Sequence, residues 1–367
     1  MNPTPFALER YFALHEFTAP YLLSCSDTDG LAMSEVLGMA DAEVRALWDE
    51  LRLGYTESRG LPALRAEVAG MYEGRSADDI LIGAPEELIF VAMNMLLRPG
   101  DRVVCAAPAY QSLHEVARAI GCAVDFWRPR EADSWHFDPD ELRPLLRGAR
   151  LLIVNFPHNP TGALPSAADF SAVMALAAEE GVRVFSDEMY RLLEHAPDAR
   201  LASACEVASD AVSLSGMSKV FGMAGTRIGW LATGDARLME RLASFKDYTT
   251  ICSSAPSELL ALAALRNRAA IIERHRARIL RNLETLRAFV SRSVAFALPS
   301  PRAGSVCLLR LRDGSAADFC RQALEESGIL MVPSTLFDFG DAHIRIGLGR
   351  EDMPQVLGRL EDWLAST

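Results

Sequence analysis

Through the middle of the chain, short apolar runs alternate with longer stretches in which apolar residues recur every three or four positions. The runs at 102–108 (RVVCAAP), 123–127 (AVDFW), 151–157 (LLIVNFP), 182–188 (VRVFSDE) and 211–216 (AVSLSG) have the length and apolar density of buried strands. Between them, 112–121 (SLHEVARAIG) and 167–181 (AADFSAVMALAAEEG) carry helical spacing and stop at glycine. Strands apolar on both faces and joined by helices predict a mainly parallel sheet covered on both sides. Further helices are expected over 85–97 and, as one long element that is polar in its middle, over 257–291. After Pro299 the texture changes. SVCLLRLRDG, a helical stretch, GILMVPSTLF and HIRIGLG read as a smaller α+β unit, closed by the helix MPQVLGRLEDWLA.

The length of 367 residues supports more than one unit. The formal charge of −12 argues against nucleic acid or an anionic membrane as the main partner, since both select clustered Lys and Arg. The seven cysteines are scattered, odd in number and never spaced C-x-x-C, so they read as small buried hydrophobes of a cytoplasmic protein. No apolar run approaches the length of a membrane span.

In open α/β sheets, ligands bind at the carboxyl ends of the strands. There the sequence places Tyr110, Asn159, Asp187 with Tyr190 three residues on, and the group Ser215, Ser218 and Lys219. Lys219 stands in an otherwise apolar, small-residue stretch, where a lysine is unusual unless its charge is consumed. The set suits pyridoxal phosphate. That cofactor needs an amine for its aldehyde and an acid for its ring nitrogen. Its ring oxygen accepts from Asn and Tyr, and its flat face suits an aromatic partner. Its phosphate suits a helix start and an arginine. The Ser-x-x-Lys alternative fails because position 216 is glycine, and no P-loop, H-E-x-x-H or G-x-S-x-G occurs.

The motifs YTESRGLPALR, PAY, NFPHNPTG, SDEMY, SK with GTRIGW, and HIRIGLG follow one another from Tyr55 to the C-terminus. Together they resemble the class I/II aminotransferase family of fold-type I pyridoxal-phosphate enzymes. The resemblance implies an aspartate aminotransferase-like fold, with a large cofactor domain over 33–275 and a small domain from 1–32 and 276–367. It implies Lys219 as the Schiff-base lysine and proton shuttle. Asp187 would meet the ring nitrogen, Asn159 and Tyr190 the ring oxygen, and Tyr110 the ring face. Arg227 and the backbone of Gly83 and Ala84 would hold the phosphate, with Ser215 or Ser218 in place of the usual serine and Tyr55 reaching it across a homodimer interface. Arg345 would bind the substrate α-carboxylate, the substrates being an amino acid and a 2-oxo acid.

Three departures stand out. The usual serine is Gly216, the phosphate helix begins with Pro85, and the usual N-terminal pocket segment is replaced by YLLSCSDTDG. Its Asp27 and Asp29 read either as turn residues or as selectors of a cationic substrate. That segment, together with YTESRG and FKDYTTICSSAPSE, also resembles the branch related to capreomycidine synthases, which cyclise an arginine derivative. A lyase, cyclase or oxidase on the same fold is therefore the alternative to an aminotransferase. A cofactor-binding regulator is disfavoured, because the first fifty residues carry no basic patch.

Overall fold

The computed structural model describes residues 2–366. Its large sheet has seven strands: β1 Ile80–Gly83, β2 Arg102–Ala106, β3 Ala123–Trp127, β4 Leu151–Asn155, β5 Arg183–Asp187, β6 Val212–Gly216 and β7 Gly229–Ala232. Their order is β1-β7-β6-β5-β4-β2-β3, and only β7 runs antiparallel to its neighbours. β4 and β6 are buried along their whole length, as a sheet covered on both faces requires. The sequence pattern located five of these strands directly. β7 is four residues long and lies inside the glycine-punctuated GTRIGWLA, where alternation has no room to show.

Local chemistry starts and stops the covering helices. Ser166 and Asp169 form a capping box at the start of Ala167–Glu179. Gly121, at φ 106°, ends Ser112–Ile120 in the left-handed conformation that glycine adopts without strain. The expected single helix over 257–291 is in fact two, Ala255–Arg266 and Arg268–Arg292. The break is Asn267, whose side-chain amide donates to Met39 O at 3.0 Å and Ala263 O at 2.9 Å while its backbone leaves helical geometry. One polar residue competing for backbone carbonyls leaves the hydrophobic period intact, so the break was not visible in the pattern.

The smaller sheet is antiparallel, in the order Val332–Pro333, His343–Gly347, Val306–Leu311, Phe296–Ala297. Residues Tyr21–Leu22 pair in parallel with Ile329–Leu330, which ties the N-terminal segment to this C-terminal unit. The N-terminal helix Ala7–His15 is anchored by buried Leu8 against Val332 and Phe337, and by Tyr11 Oη donating to Met331 O at 2.9 Å. Among the described residues, no helix is long and apolar enough to cross a membrane.

Candidate active site

A cavity of about 630 Å³ opens where β4, β5 and β6 end. It is closed above by the N-terminal helix, which contributes Leu8, Glu9 and Phe12 to its wall. Asp187 is the last residue of β5, Asn159 lies four residues beyond β4, and Lys219 three beyond β6. The parallel register Asn155↔Asp187↔Leu214 brings these chain ends side by side. Asn155 then locks them together. Its side chain donates to Asp187 O at 2.9 Å and accepts from Asn159 N–H at 2.9 Å.

Lys219 Nζ reaches into the cavity and donates to Ser26 Oγ at 2.9 Å. Asp187 is buried, and loss of hydration pushes its carboxyl up to about 7 despite the N–H of Met189 and the nearby Lys219 charge. A cationic partner at this carboxyl would restore its charge.

Arg345, on the strand His343–Gly347, is 1% exposed. Its Nη1 donates to Asn159 Oδ1 at 3.3 Å and its Nη2 to Ser24 O at 2.9 Å, while Nε has no partner. Phe12 and Phe337 flank the guanidinium, with ring centroids at 5.9 and 5.4 Å. No ion pair to Arg345 exists among the described residues. Burial without an anion drives its pKa down from the usual range. Tyr190 Oη is likewise buried in this wall without a partner. Polar atoms so placed are rare in folded proteins, and a pair facing one cavity marks positions for an oxygen acceptor and a carboxylate.

Tyr110 lines the cavity with its ring 4.9 Å from that of Phe6, and its hydroxyl donates to Glu9 Oε1 at 2.8 Å. Ser218 is buried in the wall, and Arg227, at φ 55°, lines the mouth while donating to Ala224 O. Gly83 and Ala84 lie behind Pro85 and Glu86, which are the residues of that turn that line the cavity. The Ala84 N–H is taken by Glu87 Oε2 at 3.3 Å. Tyr55 is 89% exposed and lies outside the cavity of its own chain.

Asp27 and Asp29 are engaged within the protein. Arg350 bonds both, and Arg278 pairs with Asp29 at 2.9 Å. Ser26, Glu9, Glu16 and Glu86 are cavity residues that sequence reasoning missed. Only Glu86 carried a signal, as a charged side chain in the first turn of a helix that opens at a strand end.

The description of the family "aminotransferase class I and II" matches residues 22–360. The chain belongs to that family. Capreomycidine synthase of Streptomyces vinaceus is 29% identical over 324 residues, covering 87% of this chain and 82% of that protein. A pyridoxal-phosphate-dependent aminotransferase from Streptococcus suis superposes with a TM-score of 0.93 at 28% identity, over 100% of this chain and 99% of that one. The pyridoxal-phosphate-dependent cyclase OrfR superposes with a TM-score of 0.91 at 29% identity, over 100% and 98% of the two chains. The two-domain α/β architecture is the one found in aspartate aminotransferases. The cofactor of this aminotransferase family is pyridoxal 5'-phosphate, and the donor set fits it: one amine, one buried carboxyl, an orphan phenol, an amide and an arginine face a single cavity.

Proposed function

We propose that this chain is a pyridoxal-phosphate-dependent aminotransferase that moves an α-amino group between an amino acid and a 2-oxo acid. When bound, the cofactor supplies an aldehyde carbon that bonds amines and a ring that accepts an electron pair from the substrate α-carbon. The rest of the reading concerns the chain's own residues. Lys219 Nζ, released from Ser26, would take the proton from the substrate α-carbon and deliver it to the carbon that supplies the aldehyde. Asp187 holds a positive charge at the ring nitrogen. Asn159 and the orphan Tyr190 hydroxyl would bond the ring oxygen, and Tyr110 would pack beside the ring. Ser218, Arg227 and the turn that opens at Pro85 and Glu86 would hold the phosphate. Arg345 binds the substrate carboxylate as a bidentate pair, while Phe12 and Phe337 keep water from it. The observation that carries the reading is a buried arginine lacking an anion in the same cavity as a lysine amine.

The test is a single turnover. Each amino acid is added to the loaded protein without any oxo acid. One equivalent of 2-oxo acid per site, with the cofactor converted to its amine form, supports transamination. A cyclised or eliminated product with the cofactor unchanged supports the second reading, a lyase or cyclase acting on an amino acid with a cationic side chain, such as an arginine derivative. That second reading is favoured by the carboxylates of Glu9 and Glu16 on the cavity wall, and by the likeness to capreomycidine synthase and OrfR.

We also infer a homodimer. Tyr55, 89% exposed, and Tyr248, 88% exposed, belong to neighbouring segments, since Lys246 Nζ donates to both Ser58 O and Ile251 O. Such an apolar surface suits a second copy, whose phosphate site Tyr55 would complete.

A further inference from the structure

The turn that would hold the cofactor phosphate is poor in neutral donors. Pro85 has no N–H, and the Ala84 N–H is already used by Glu87. A side chain in place of Gly216 would be tightly confined: its Cβ would lie 3.0 Å from Gly229 Cα, 3.1 Å from Ile228 O and 3.2 Å from Pro85 Cγ, so these neighbours would have to shift by a few tenths of an ångström. The Pro85 ring also packs on Gly229, where a Cβ would fall 2.8 Å from Pro85 Cγ. Pro85, Gly216 and Gly229 therefore pack closely together, with neither a side-chain hydroxyl at 216 nor an N–H at 85.

What the turn offers instead is Glu86, in the first turn of the twelve-residue helix Pro85–Leu96. The first-turn N–H groups of a helix have no carbonyl partners in their own helix. The Glu86 side chain is half-buried, lines the cavity, and accepts from Ser112 Oγ at 3.2 Å. The charged groups facing it are Arg227, which favours its ionised form, and Asp187 and Glu9, which oppose it, with the Tyr110 phenol beside them. A carboxylate here would repel a phosphate dianion. A carboxylic acid would donate to it.

We propose that Glu86 is a ligand of the cofactor phosphate in its protonated form, its O–H donating to a phosphate oxygen in place of the donors that Pro85 and Gly216 remove. The proposal rests on the cofactor assignment above. Above the pKa of the free carboxyl, binding then takes up to one proton from solvent onto a Glu86 oxygen, and below it the proton is already in place; no other bond is made or broken. Burial already pushes this carboxyl up to about 7, so the proton is available near neutrality and scarce above it. The sign follows. Affinity is full below the pKa of the free protein and falls as pH rises past it, by up to about tenfold per unit for one proton taken up.

The test is the dissociation constant of pyridoxal 5'-phosphate between pH 6.5 and 9, read by tryptophan fluorescence. It is paired with calorimetry in buffers of different ionisation enthalpy, which counts protons. Wild type, Glu86→Gln and Ser112→Ala are compared, with pyridoxal, which lacks the phosphate, as control. The phosphate and ring titrations are common to all three proteins and cancel. Glu86→Gln should take up fewer protons, by as much as one per site, and lose affinity less steeply with pH. Ser112→Ala removes a bond that favours the ionised carboxyl, so its affinity should persist to higher pH. Pyridoxal should show no difference between variants. Equal slopes and equal proton counts in wild type and Glu86→Gln would overturn the proposal. So would the same Glu86-dependent slope with pyridoxal, which would place the carboxyl away from the phosphate. If Glu86→Gln fails to fold, the direction of the Ser112→Ala shift decides. Failure of the wild type to bind the cofactor at any pH would instead overturn the functional reading.

Discussion

Lysine occurs at only two positions in this chain, 219 and 246, among 37 lysines and arginines. Arginine serves every other cationic position, and a guanidinium does not deprotonate in proteins. A lysine retained here therefore marks a place where an amine is needed. At 219 the proposed need is chemical. At 246 it is spatial, since the side chain is fully buried, donates to two carbonyls, and passes under Gly83 so closely that a Cβ there would lie 3.2 Å from Lys246 Cε. Lys219→Ala should abolish turnover while leaving the thermal melt close to wild type. Lys246→Ala should cost about 2 kcal/mol in urea unfolding, by removing a fully buried side chain and its two part-buried hydrogen bonds. Asp187 gives a pH signature. Its folded carboxyl holds a proton up to about pH 7, against an ordinary value of 3.8, so the folded state binds protons that the unfolded chain has released. Stability of the cofactor-free protein should fall through this window relative to Asp187→Asn, by at most about 1.4 kcal/mol per pH unit. Urea titrations of the two proteins at pH 5 and 7 check it, and parallel curves would mean that Asp187 is hydrated.

At the scale of elements, the site depends on how closely the 23–29 segment lies on the strand that carries Arg345. Gly347 N–H donates to Leu23 O at 2.7 Å, and a Cβ at Gly347 would fall 1.9 Å from Cys25 O. Gly347→Ala should therefore push this segment outward, taking Ser26 away from Lys219. A stability loss of about 1–3 kcal/mol is expected, with a rise in KM larger than the fall in kcat. An unchanged KM would show that the segment does not shape the substrate side. The polar ends of apolar strands were legible from sequence, because Asp187, Asn159 and Lys219 each break a buried run where a sheet opens. Glu9 and Ser26 were not. Glu9 bonds Tyr110 across 101 positions and Ser26 bonds Lys219 across 193, and no local period encodes such pairings. Asp27 and Asp29, open to either reading in the sequence, are held by arginines from 278 and 350, again a pairing that only folding reveals.

For the whole molecule, the unusual exposure of Tyr55 and Tyr248 argues for a surface that a second chain covers. Light scattering should give about twice the chain mass of 40.1 kDa. A stable monomer with full activity would contradict the role assigned to Tyr55. The larger claim is that the amine of Lys219 receives the cofactor at the junction of the two sheets. The most direct measurement is borohydride reduction of the cofactor-loaded protein, followed by proteolysis and mass spectrometry of the labelled peptide. With two lysines in the chain, the result is unambiguous. The account predicts one reduced cofactor per chain, on Lys219, and none on Lys246. Label on Lys246, or no covalent label at all, would contradict it.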